Sequence, residues 1–217
     1  MAIGDGLGHK YKPRKQWSTR LRMLLTRDPG NLLRYGPSAP RYAERIWCRP
    51  ESIGFVGLER KRELKWRRSS SARVLDEWPI TSGDIVDPMV LVKFSSCYDH
   101  WVRGVPWEET AEYWHYRDKA IPHYDFESHH KTLDALYEQV RFEGRLRPKN
   151  ELPGAHFRED DGVRVNVGPS GELVFCDGGT HRLAMARILE LPWIPAQLGC
   201  VARGALPQLP ELRRHPS

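Results

Sequence analysis

GVRVNVGPSGELVFCDGGTHRLAMARILELPWIPAQLGCVAR, residues 162–203, decides the fold. Val163, Val165 and Val167 alternate with polar residues, which predicts a half-buried strand. Gly168-Pro169-Ser170-Gly171 is turn chemistry, and Glu172–Cys176 is a short apolar run suited to pair antiparallel with the first strand. The chain then passes through Asp177-Gly178-Gly179-Thr180 into a helix beginning near His181. Leu183, Ala184, Met185, Ala186, Ile188 and Leu189 make that helix apolar enough to be buried; Pro192 ends it, and Ile194–Val201 reads as another strand.

Upstream, residues 88–104 carry apolar residues of mixed spacing and stop at Gly104. Pro106 can open a helix whose early turns hold Glu108, Glu109 and Glu112, where the helix dipole favours anions. The clearest amphipathic helix covers residues 130–144: Leu133, Leu136, Tyr137 and Val140 fall on one face, and Gly144 follows as a stop. These helices should cover one face of the sheet.

The first third differs in charge. Residues 1–75 hold 18 Lys and Arg against 6 Asp and Glu, whereas residues 76–217 hold 16 against 22. Pro13, Pro29-Gly30, Gly36-Pro37, Pro40 and Pro50 break it into pieces, with room for short helices around Trp17–Leu25 and Arg41–Trp47. The expected organisation is therefore a basic, Pro-rich N-terminal extension over 1–75, an α+β domain over 76–205 and a C-terminal tail over 206–217. Within the densest basic run, residues 59–73, Arg60, Lys61, Arg62, Lys65, Arg67 and Arg68 surround Trp66. Such a pattern can hold phosphate backbones while the indole stacks on a base. It equally fits a solvated helix face on which Glu59 and Glu63 pair with neighbouring cations.

The 217 residues, 40% hydrophobic and 29% charged, suit one domain or one domain with an extension. No run approaches the roughly 20 apolar residues of a membrane helix. Basic residues near the start have no apolar stretch behind them, so no secretory signal and no membrane partner are expected. Cys48, Cys97, Cys176 and Cys200 are too dispersed for a disulfide scaffold or a Cys-x-x-Cys motif, which predicts a cytoplasmic protein with free thiols. His100, His115, His123, His129 and His130 lie near Asp118, Asp125 and Glu127, but no fixed metal-ligand spacing links them. They read as scattered surface and capping histidines, and no metal-ligand set is assigned.

The connection at 177–182 has chemical use. Glycines lacking Cβ let the backbone turn sharply and approach a ligand closely. The first N–H groups of the following helix have no intrahelical partner and, with the dipole, favour an anion. Gly178, Gly179, Thr180, His181 and Arg182 thus form a candidate phosphate cradle, with Arg182 as bidentate clamp. An ordinary tight strand-to-helix connection explains the same residues.

GGTHRLAMARILELPWIP (178–195) resembles the loop, helix and Ile-Pro strand of the ParB/sulfiredoxin-like superfamily. The likeness extends to GVPWEET (104–110), LYEQVRFEGRL (136–146) and VRVNVGPSGELVF (163–175), in all about residues 76–203. It implies a small mixed sheet with packed helices and nucleotide phosphates bound at the loop, with ATP or CTP and Mg²⁺ as cofactors. The departures narrow this. Sulfiredoxin carries a reactive cysteine where this chain has Thr180, so sulfinic-acid reduction is not implied. ParB carries Gly-Glu-Arg-Arg, so CTP selectivity does not transfer. With 14 residues after Arg203, no helix-turn-helix pattern follows the core, and a ParB-like DNA clamp is not expected. ParB-like kinases carry Asp-Gly-x-His-Arg; here Asp177 precedes two glycines. It is the candidate catalytic group, approaching Mg²⁺ or a substrate hydroxyl, with Glu138 and Glu143 as further carboxylates that composition places toward solvent.

The expectation is therefore a nucleotide-binding protein that transfers phosphate to a small molecule. The alternative is a non-catalytic adaptor that binds nucleic acid or protein through its basic third.

Overall fold

A computed structural model describes residues 13–54, 70–79, 88–118, 125–154, 156–176 and 178–215. Among them are six α-helices and a mixed six-stranded sheet, an α+β arrangement. The elements are α1 (Pro13–Tyr35), β1 (Arg45–Cys48), β2 (Ile53–Gly54), β3 (Val74–Leu75), α2 (Pro88–Trp101), α3 (Ala111–Asp118), α4 (Phe126–Glu143), β4 (Val163–Val167), β5 (Leu173–Phe175), α5 (Thr180–Ile188), β6 (Ile194–Ala202) and α6 (Leu209–Leu212).

The sheet grows from the stretch read first. β4 turns back antiparallel onto β5, with Val165 opposite Phe175 and Val167 opposite Leu173. After α5 the chain returns as β6, parallel to β4, with Val163 opposite Ala196 and Val165 opposite Leu198. β2 adds parallel to β5; β1 pairs antiparallel with the first half of β6, and β3 pairs parallel with its end. Val163, Val165, Val167, Leu183, Ala186, Ile194 and Leu198 form the main core together with Ile46, Ile53 and Leu209. No helix among the described residues is long and apolar enough to cross a membrane.

β4 is buried on both faces rather than half-buried. Both of its polar residues take part in hydrogen bonds, although Asn166 Nδ2 is left without a partner. Arg164 donates to Asp161 at 2.8 Å, and Asn166 Oδ1 accepts from the Cys200 N–H at 2.7 Å. The loop before β4 is braced by α1, where Arg20 pairs with Asp160 at 2.9 Å.

The division expected at residue 75 does not divide the sheet, since β1, β2 and β3 all belong to it. α1 also runs through Pro29, where a break was expected. Proline there removes one helical hydrogen bond, but tertiary contacts hold both sides. Asp28 accepts from the Tyr42 N–H at 2.7 Å and from Arg158 at 2.9 Å, and Asn31 donates to the Pro40 and Ala72 carbonyls. Arg41–Trp47, read as a short helix, instead leads into β1 because Ile46 and Trp47 align with Ala196 and Pro195 of β6.

Residues 206–217 are likewise more than a tail. Leu209 is fully buried in the main core, and Arg213 bonds both carboxylate oxygens of Glu44, at 2.8 and 3.1 Å. The helix over 130–144 begins earlier than its periodicity indicates, at Phe126, because Asp125 caps it by accepting from the Ser128 N–H. Gly144 closes it in the left-handed conformation, as expected.

Candidate functional site

α5 starts where β5 has carried the chain across the sheet. Backbone pairing continues beyond β5: Cys176 N–H donates to the Arg164 carbonyl at 2.9 Å, and Arg164 N–H donates to the Gly178 carbonyl at 3.0 Å. The loop therefore lies directly on β4. Gly179 has φ +77°, and a Cβ there would come within 2.8 Å of the Val163 Cα. At Gly178 a Cβ would meet the Arg164 side chain at 2.6 Å. Gly179 is thus required by its left-handed backbone and its close approach to Val163, whereas at Gly178 the near atoms belong to the Arg164 side chain.

Gly179 is the N-cap of α5 and supplies no side-chain cap. The dipole end is accompanied by Arg164 beneath Gly178 and by the half-buried Arg182 one turn into the helix. Arg182 acts electrostatically on Glu159, as do Arg45 and Lys149. Burial pushes the Glu159 carboxyl up, while the Lys149 N–H and these cations pull it back. Cations and carboxylates share these surroundings, since Arg164 is paired with Asp161 at 2.8 Å.

His181 turns away from this loop. It is buried, and its Nε2 lies 2.9 and 3.0 Å from the two carboxylate oxygens of Glu112 on α3. The ring atom expected to donate to phosphate is therefore already committed, because the first turn of α5 directs it into the protein. Burial lowers the His181 pKa against the pull of Glu112, favouring a neutral ring that donates its Nε2–H. Burial works to raise the Glu112 carboxyl, but His181 and the Lys93 charge hold it well below the ordinary carboxylate range.

His129 and His130 are buried too, which corrects the reading of scattered surface histidines. His130 stacks on Phe126, with ring centroids 3.7 Å apart, and packs against Trp107 at 4.3 Å. Its Nδ1 bonds the Phe126 carbonyl at 2.8 Å. Its Nε2 lies 3.9 Å from Glu112 Oε2, beyond hydrogen-bond range, and has no hydrogen-bond partner. One ligand atom from each of Glu112, His130 and His181 falls within 4.8 Å of the others.

Asp177 and the basic set Arg60, Lys61, Arg62, Lys65, Trp66, Arg67 and Arg68 lie outside the described residues. Glu138 and Glu143 pair with Arg141 and Arg147 on α4 and the turn after it. All four cysteines are free and buried. Sequence reasoning missed Glu112 as His181's partner, Arg164 under the loop, and the third member His130. Glu112 precedes His181 by 69 positions, so no local spacing signals the contact. Arg164 looked like the solvent side of an alternating strand. No family model, curated protein or solved structure matches the chain.

Proposed function

We propose that the chain binds a nucleotide through its phosphates at the start of α5, within a ParB/sulfiredoxin-like domain. The observation that carries this reading is the cap of α5: a glycine without a side-chain cap, with Arg164 and Arg182 close by. A helix start of this kind offers N–H donors and a positive dipole end to an anion. The proposed phosphate contacts are the backbone of Gly178–Arg182, the Thr180 hydroxyl and the Arg182 guanidinium. His181 contributes its backbone N–H and acts as a positioning residue, its ring fixed by Glu112.

ATP or CTP with Mg²⁺ is the ligand class, and phosphoryl transfer to a small-molecule hydroxyl is the reaction the site would serve. Asp177 has the proposed role of holding the metal or accepting the hydroxyl proton; charge neutralisation and positioning would supply the acceleration. Under this reading the protein works in the cytoplasm, a compartment in keeping with four free thiols.

Competition binding separates phosphate recognition from base recognition. A fluorescent ATP or CTP analogue should be displaced by pyrophosphate and by the parent nucleotide but not by the nucleoside, and Arg182→Ala should weaken all phosphate-dependent binding. No binding by either analogue, with or without Mg²⁺, would refute the reading.

A second partner class, nucleic acid held through residues 59–73, is favoured by the net charge of +12 over residues 1–75 (18 basic against 6 acidic). Binding to DNA or RNA should then fall steeply with salt, and a chain in which Arg60, Lys61, Arg62, Lys65, Arg67 and Arg68 are replaced by Gln should lose it.

A further inference from the structure

We propose that Glu112, His130 and His181 form a binding site for a divalent transition metal of the zinc class, next to the proposed nucleotide site, with which it shares His181. Glu112 comes from α3, His130 from α4 and His181 from α5, so one ion would tie three helices together. All three residues are buried, at 0%, 2% and 8% exposure.

The decisive feature is His130. Its Nδ1 faces the Phe126 carbonyl at 2.8 Å, and a carbonyl only accepts, so Nδ1 carries the proton. In the neutral ring the lone pair is then on Nε2, the atom aimed toward Glu112 and without a hydrogen-bond partner. A buried imidazole nitrogen of this kind normally has a partner. Metal-bound histidines show the same pattern, donating the other ring N–H to a carbonyl or carboxylate. Phe126 and Trp107 pack on the ring and fix its orientation.

The two separations from Glu112 bracket that of a small ion, and all three ligand atoms lie within 4.8 Å of one another. Zinc bonds of about 2.0–2.2 Å in tetrahedral geometry separate ligand atoms by roughly 3.3–3.5 Å. The His181–Glu112 distance of 2.9 Å and the His130–Glu112 distance of 3.9 Å lie on either side of that value. Side-chain adjustment of about half an ångström would bring both to it. His181 would exchange its Nε2–H for the Nδ1–H tautomer and bind through Nε2; no net proton is lost from a neutral ring. Two imidazoles and one carboxylate favour zinc-class ions over Mg²⁺ or Ca²⁺, which prefer all-oxygen sets. The three protein ligands leave a fourth position for water.

Two groups on α2 face the same carboxylate. Lys93 is an ammonium that burial disfavours but that the Tyr116 phenol and Glu112 hold above the ordinary lysine value. Cys97 is a buried thiol pushed up by desolvation and by Glu112. Lys93 competes with the ion for the Glu112 charge, so Lys93→Met should tighten metal binding.

The test uses the full chain, stripped with chelator and titrated with Zn²⁺ alone, with no nucleotide present. One equivalent should bind, and zinc-edge X-ray absorption should show two imidazoles and oxygen ligands. Glu112→Gln and His130→Gln should each lower affinity by at least about a hundredfold, more than loss of an outer-shell partner costs. His115→Gln should leave it unchanged. Absence of stoichiometric Zn²⁺ binding would overturn the proposal. So would a spectrum lacking two imidazoles, or retained affinity in both glutamine variants. Nucleotide binding is read separately, so either proposal can fail while the other stands.

Discussion

The Nε2 of His181 sits 2.9 Å from Oε2 of Glu112, joining the first turn of α5 to the first turn of α3 inside the protein. This contact fixes the start of the helix that carries Arg182. Removing its two halves should not cost the same. Glu112→Ala leaves a buried imidazole donor without its acceptor, a loss of about 2–3 kcal/mol. His181→Ala takes the hydrogen-bond donor from a fully buried carboxylate, leaving the Lys93 charge to offset its burial, and should cost at most about 3–5 kcal/mol. Urea denaturation of the chelator-treated protein checks this; both variants within about 0.5 kcal/mol of wild type would deny the contact its structural weight.

The two loop glycines should also differ. Gly179→Ala combines a left-handed φ with a Cβ pressed onto the Val163 backbone. It should destabilise by about 3 kcal/mol, from the conformational cost plus overpacking. Gly178→Ala meets only the Arg164 side chain, which can move. The fold should therefore tolerate Gly178→Ala within about 1 kcal/mol, while its affinity for nucleotide falls as Arg164 is displaced. Thermal unfolding and equilibrium binding of the two variants separate these effects.

Buried thiols give a prediction at alkaline pH. Burial pushes Cys48 from the ordinary value of 9.0 up to about 12 and Cys200 up to about 11. Between about pH 9 and 11 the unfolded chain loses thiol protons that the folded chain retains. Stability must therefore fall as pH rises through that window. The fall should be shallower in a Cys48→Ala, Cys200→Ala double variant. At neutral pH all four thiols should react with a thiol reagent only after denaturation.

The C-terminal residues should be needed for stability. Leu209→Ala empties a fully buried position and should cost about 2–5 kcal/mol. Deleting residues 206–217 should cost more, since it also removes Arg213 from Glu44. Stability of the truncated chain equal to wild type would show that these contacts contribute nothing.

What sequence reveals here follows the range of the interactions. Val163–Val167, the turn at Gly168–Gly171, β5, α5 and β6 were legible because alternation, turn glycines and an apolar helix are local signals. Gly144 as a helix stop was legible for the same reason. Pro29 misled because breaker chemistry is local, whereas the contacts of Asp28 and Asn31 that hold α1 together come from residues 40–42, 72 and 158. β1 escaped because a four-residue strand is defined mainly by its pairing with β6. The loop glycines were recognised, but their packing against Val163 and Arg164 depends on where β4 lies. Glu112, His130 and His181 converge only when three helices pack, so their residue types were visible and their association was not.

The most direct test of the nucleotide reading is a thermal-shift panel of ATP, CTP, GTP and their diphosphates, with and without Mg²⁺, on wild type and Arg182→Ala. A ligand at a hundredfold excess over its dissociation constant stabilises the native state by about 2.7 kcal/mol. For a chain of this size that corresponds to a rise of roughly 5–10 °C. The account predicts such a rise with ATP or CTP and Mg²⁺, lost in Arg182→Ala. No rise with any nucleotide, or an equal rise in wild type and variant, would contradict a phosphate site at the start of α5.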